Sequence, residues 1–93
     1  MNIDDLKKKL TAQGFPIVYD WTDAPNTAYS EHQHIGKVSF YVTRGSVIFD
    51  FSGEKKIISA GEYIDVPVQT KHTALVSPEG CDYVVGQEIE GDA

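Results

Sequence analysis

The chain has 93 residues, fourteen acidic and eight basic, and a net charge of −6 at neutral pH. That balance speaks against nucleic acid and against an anionic membrane surface as partners, because both reward Lys and Arg. The length predicts one domain over residues 1–93 with a modest core, burying about 60–65% of the unfolded surface.

No apolar run approaches the ~20 residues that a bilayer span needs. No apolar h-region opens the chain, so no secretory signal is expected. The single cysteine, Cys81, has no internal disulfide partner. A reducing cytoplasm is the compartment this predicts.

Residues 1–14 read as a short helix. Ile3, Leu6 and Leu10 form one apolar stripe, Asn2 can cap the start, and Gly14 is a natural stop. Asp4 and Asp5 at the beginning and Lys7, Lys8 and Lys9 towards the end suit the helix dipole. From Phe15 the pattern changes to strands and turns. Phe15 to Trp21 is a first strand, with Pro16 near its start where a missing donor is tolerated. Thr22 to Thr27 is a loop by composition. Ala28 to His34 and Lys37 to Thr43 read as extended, interrupted at Gly36, and Gly45 marks a turn. Ser46 to Phe51 and Lys55 to Ser59 flank a Ser52-Gly53 hairpin signal. Tyr63 to Val66 ends at Pro67. Lys71 to Val76 and Asp82 to Gln87 complete the series, separated by Ser77-Pro78-Glu79-Gly80. A barrel over residues 15–88 and a frayed tail over 89–93 follow. About eight or nine short strands at this spacing predict an all-β sandwich or small barrel.

His32 and His34 stand one residue apart in an extended stretch, where side chains at i and i+2 share a face. The one other histidine, His72, heads an alternating run in which His72, Ala74 and Val76 share a face. Brought together from neighbouring strands, the three imidazoles supply three corners of one metal site and leave further positions open to water or substrate.

These residues resemble the motifs of a small single-domain cupin. The first cupin motif is G-x5-H-x-H-x3,4-E-x6-G, and His32-Gln33-His34, then Val38, then Gly45 reproduce its spacing. The second is G-x5-P-x-G-x2-H-x3-N, whose spacing Gly61, Pro67 and His72 reproduce, with Gln69 in place of the motif glycine and Val76 in place of the asparagine. The resemblance implies a double-stranded β-helix, the cupin jelly-roll barrel, preceded here by a short N-terminal helix. It also implies one divalent transition metal on His32, His34 and His72. The family's glutamate ligand falls on Val38, which cannot bind metal. A three-His set of this kind is similar to the iron centres of thiol and diketone-cleaving dioxygenases in the cupin superfamily. It would equally suit zinc, and it leaves nickel, cobalt, copper and manganese open.

Val38, Phe40, Val42, Ala74 and Val76 are expected to line an apolar pocket around the metal, with Gln69 beside the His72 loop. The other aromatic residues read as barrel core or dimer interface. Arg44 reads as a solvated residue before a turn, and Cys81 as a small buried hydrophobe. Two functional classes fit. One is a metal-dependent enzyme, dioxygenase-like or isomerase-like, acting on a small organic molecule. The other is a non-catalytic module or accessory subunit that binds a sugar or organic acid. A homodimer is expected in either case, since small barrels expose strand edges.

Overall fold

The computed structural model describes residues 2–92. A helix, α1 (Ile3–Ala12), precedes β1 (Ile17–Asp23), β2 (Ala28–His32), β3 (Val38–Phe51), β4 (Glu54–Ser59), β5 (Tyr63–Val66) and β6 (His72–Gln87). All the pairings are antiparallel. No helix among the described residues is long and apolar enough to cross a membrane.

Asn2 caps α1, its side-chain oxygen accepting from the backbone N–H of Asp4 at 2.8 Å and of Asp5 at 3.3 Å. Gly14, at φ +100°, turns the chain out of the helix. Leu10 is fully buried and packs with Tyr41, Val84, Phe15 and Val18. That cluster lies on the opposite face of β3 and β6 from the main core, because alternate strand residues point to opposite faces.

β3 and β6 are the frame. The first half of β3 pairs with the second half of β6, Val38 opposite Gln87 through Gly45 opposite Cys81. The remaining halves pair Val47 with Val76 through Asp50 with Thr73. β1 adds to the second half of β6, and β5 to the first half of β3. β2 adds to the first half of β6, and β4 to the second half of β3. Two four-stranded layers result, β1-β6-β3-β5 and β2-β6-β3-β4, joined through the two long strands. This is the expected jelly roll.

The expected eight or nine strands are six among the described residues. Gly45 and Ser77–Gly80 do not end strands. They form facing bulges where both long strands pass from one layer to the other. The register steps from Gly45–Cys81 to Val47–Val76, so residues 77–80 loop out. Gly45 sits at φ +75°, and a Cβ there would lie 1.9 Å from the Gly80 carbonyl oxygen. Ser52 and Gly53, at φ +54° and +97°, form the predicted hairpin turn, with positive φ at both central residues.

Arg44 is committed to this crossing. Its Nη1 donates to the Glu79 carbonyl at 2.7 Å and its Nε to Asp82 Oδ2 at 2.9 Å. The hydrogen bond from Arg44 holds the Asp82 carboxyl below the usual carboxylate range. A depressed carboxyl stabilises the fold above its unfolded pKa and ceases to do so as the pH falls through its folded value. Arg44→Gln should therefore lower the Tm at pH 7, with the gap to wild type closing below about pH 4. A gap that persists unchanged at pH 2.5 in thermal unfolding would contradict the clamp.

Between the layers lies a core that includes Val38, Val42, Val66, Val76, Val85 and Cys81. Cys81 is fully buried, and burial pushes its thiol up to about 11, so it stays protonated at neutral pH.

Candidate metal centre

The strand carrying His32 stops at that residue, and His34 follows in the loop to β3. The expectation that both histidines ride one strand face is thus corrected. The rings meet for another reason. His32 ends β2 directly opposite His72, which begins β6. His34 is brought back by its backbone, whose carbonyl accepts from the Gln69 N–H at 2.8 Å. Gln69 holds φ +53°, a left-handed conformation that costs a residue with a Cβ. The cupin motif has glycine at this place. Gln69 is exposed and does not line the cavity.

Each imidazole is oriented by a backbone carbonyl. His32 Nδ1–H donates to Ser30 at 2.7 Å, His72 Nδ1–H to Thr70 at 2.9 Å, and His34 Nδ1–H to Asp92. These bonds place the proton on Nδ1 and leave Nε2 as a lone-pair donor. His34 and His72 are each 1% exposed, and their Nε2 atoms are buried without a hydrogen-bond partner. Buried polar atoms are rarely left so. The ring centroids lie 4.4 Å apart for His32 and His72, 4.9 Å for His34 and His72, and 5.1 Å for His32 and His34. One nitrogen from each falls within 4.8 Å of the others, so the three could hold one metal ion. Burial lowers the His72 pKa, which keeps that ring neutral, as a ligand must be.

Among the described residues no carboxylate joins this group. Val38, at the position of the motif glutamate, is 1% exposed and packs in the core.

A cavity of about 340 Å³ opens beside the histidines. Of the expected lining, Phe40 and Ala74 are present. Val38, Val42 and Val76 are not, which corrects their assignment. They point inward, but the interior beyond the cavity is filled, and they help to fill it. The lining also includes Tyr19, Trp21, Tyr29, Phe49 and Tyr83, which the sequence reading assigned to core or interface. The missed signal was the i, i+2 series Tyr19, Trp21, Asp23 in β1. Arg44 is not among the lining residues.

Asp23 is 6% exposed and gathers three of these residues. Its Oδ1 accepts from Trp21 Nε1 at 2.9 Å and from the Tyr29 hydroxyl at 2.6 Å, and its Oδ2 from the Tyr83 hydroxyl.

In the tail expected to fray, residues 89–93, Asp92 is hydrogen-bonded to the His34 loop. Ala93 lies outside the described residues. Glu88 Oε1 accepts from the Lys37 N–H at 2.6 Å. The Asp92 carboxylate accepts from the Ile35 and Gly36 N–H groups, both at 2.9 Å, while its carbonyl takes the His34 Nδ1 proton. Asp92 thus fixes the loop and the ring at once. Asp92→Ala should weaken zinc binding about tenfold or more, the usual cost of losing support behind a ligand. Titration of the metal-free variant with zinc checks this, and an affinity equal to wild type would contradict it.

A family model described as ChrR cupin-like domain matches residues 19–89, a span that holds all three histidines. The chain belongs to the ChrR cupin-like family. No curated protein matches this cupin. Solved structures do resemble it. A cupin-2 domain protein from Shewanella frigidimarina is 19% identical, with a TM-score of 0.65 over 73% of this chain and 65% of that one. KdgF from Halomonas sp. is 22% identical, with a TM-score of 0.67 over 81% and 70%. The polyketide cyclase RemF from Streptomyces resistomycificus is 22% identical, with a TM-score of 0.67 over 85% and 60%. This cupin therefore spans about two thirds of the length of these neighbours. Identities this low speak to the fold alone.

Proposed function

We propose that this cupin holds one divalent transition metal on His32, His34 and His72 and binds a small organic molecule in the adjoining cavity. The observation that carries the proposal is the pair of buried, unpartnered Nε2 atoms on His34 and His72, in a cluster whose every Nδ1 is tied to a backbone carbonyl. Neutral imidazoles suit iron, zinc, nickel, cobalt and copper, and manganese less well. When bound, such a metal supplies a Lewis acid or an oxygen-activating centre with coordination positions left open. The protein's own part is to orient the three rings and to hold the ligand among aromatic walls. Titrating metal-free protein with zinc should give a single site near one equivalent. Uptake that never saturates, or none, would refute it.

Within this reading the cavity serves an enzyme of the dioxygenase-like or isomerase-like kind. A binding module is the second reading. What favours it is a lining without Lys, Arg, Asp or Glu, so no charged acid or base faces the cavity. Turnover of thiols, diketones and small acids by the Fe(II)-loaded protein in oxygen separates the two.

We also propose a cytoplasmic homodimer. Ile57 on β4 and Leu75 on β6 are 62% and 47% exposed, and each pairs with Ile48 on β3, making an apolar row across three strands. Light scattering at tens of micromolar should report twice the chain mass of 10.3 kDa. A monomer there would contradict the dimer.

A further inference from the structure

The hydrogen-bonding groups around the cavity are unbalanced. The Trp21 N–H and the Tyr29 and Tyr83 O–H groups are all spent on Asp23. The three Nδ1–H groups are spent on backbone carbonyls. Tyr19 accepts from Gln87 Nε2 at 2.8 Å, which leaves its own proton as the single uncommitted side-chain donor on the lining. Acceptors remain in excess, since the phenol oxygens of Tyr29 and Tyr83 keep lone pairs after giving up their protons to Asp23. Burial, with the hydrogen bond to Asp23, pushes the Tyr83 hydroxyl above its ordinary range, so it stays protonated.

Apart from the metal proposed at the histidine end, the cavity lining carries no fixed charge that a ligand can reach. An anion at the tyrosine end would meet acceptors and a carboxylate with no cation beside them. A cation would not reach Asp23, which is 6% exposed and lies behind the Trp21, Tyr29 and Tyr83 groups that bond it. The remaining walls are flat and apolar, with Phe40 packed 5.5 Å from Phe49 and edge-on 5.5 Å from Tyr83. An engineered cavity of about 150 Å³ takes benzene, so about 340 Å³ leaves room for a substituted ring.

We infer that the tyrosine end of this cavity selects an uncharged, planar group whose hydroxyl donates to Tyr29 or Tyr83, with Asp23 as the positioning residue that holds both phenols as acceptors. The inference rests on the reading of this cavity as the ligand site, but not on the metal.

The test is calorimetric binding of 4-methylphenol and its methyl ether, 4-methylanisole, to metal-free and zinc-loaded protein, with 4-methylbenzoate and 4-methylbenzylamine as charged controls. The phenol should bind about tenfold more tightly than the ether, which leaves buried acceptors unpaired, and more tightly than either charged compound. Tyr29→Phe/Tyr83→Phe should bring phenol and ether within about twofold. Asp23→Asn is the second variant. Its amide N–H turns to the Tyr83 oxygen and frees the Tyr83 proton to face the cavity, so the ether should gain on the phenol. Because zinc itself attracts phenols, the metal-free protein decides. Equal binding of phenol and ether there, no binding of either, or a preference for benzoate or benzylamine would overturn the inference. Should zinc fail to bind while the phenol preference holds, the metal reading falls and this one stands.

Discussion

His72→Ala should fold and yet bind zinc at least about 100-fold more weakly than wild type. His72 is the histidine most enclosed by the others, its ring lying within 5 Å of both. Its removal leaves two imidazoles, which cannot enclose an ion against water. Loss of mere support behind a ligand already costs about 10–100-fold, so loss of the ligand itself costs no less. The fold should survive, because the core of valines and aromatics lies beyond the cavity and His72 contributes a ring at its edge. Competition titration with a chromophoric chelator gives the affinity, and circular dichroism the fold. A folded variant that binds zinc as the wild type does would remove His72 from the site.

Gly45→Ala should cost at least about 3 kcal/mol, a large share of the total stability. Two effects add. An L-residue at φ +75° is strained by about 1–2 kcal/mol. The new methyl would also sit 1.9 Å from the Gly80 carbonyl, a backbone atom held in the facing bulge. Neither strand can retreat, because both are paired on either side of the crossing. A chain of this length is stable by about 5–14 kcal/mol in all. Urea unfolding measures the loss, and a change under about 1 kcal/mol would mean that the crossing can relax. The site is expected to suffer with the fold, since this crossing sets the register that places His72 opposite His32.

The three histidines were legible because motif spacing survives whatever the chain does between its landmarks. The route by which they meet was not. Strand parity placed His32, His34 and Val38 on one face, but the loop of residues 33–37 breaks that parity. His34 is held instead by Gln69 and Asp92, contacts across the chain that no local pattern encodes. Gly45 was read as a turn because a glycine between two β-rich runs looks the same whether the chain reverses or only bulges. Only the partner strand, with its own excursion at residues 77–80, decides. The tyrosine end of the cavity was missed for a similar reason. Tyr29 and Tyr83 become neighbours through Asp23, on three different strands. Tail composition suggested fraying, yet the Asp92 carboxylate there accepts from backbone N–H groups of the His34 loop.

The central claim is that one metal ion sits between His32, His34 and His72. Anomalous diffraction from crystals of protein purified without chelator tests it most directly. The expected result is a single peak about 2.1 Å from one nitrogen of each of the three rings. No peak there, before or after soaking with zinc, or a peak held by other side chains, would contradict the account.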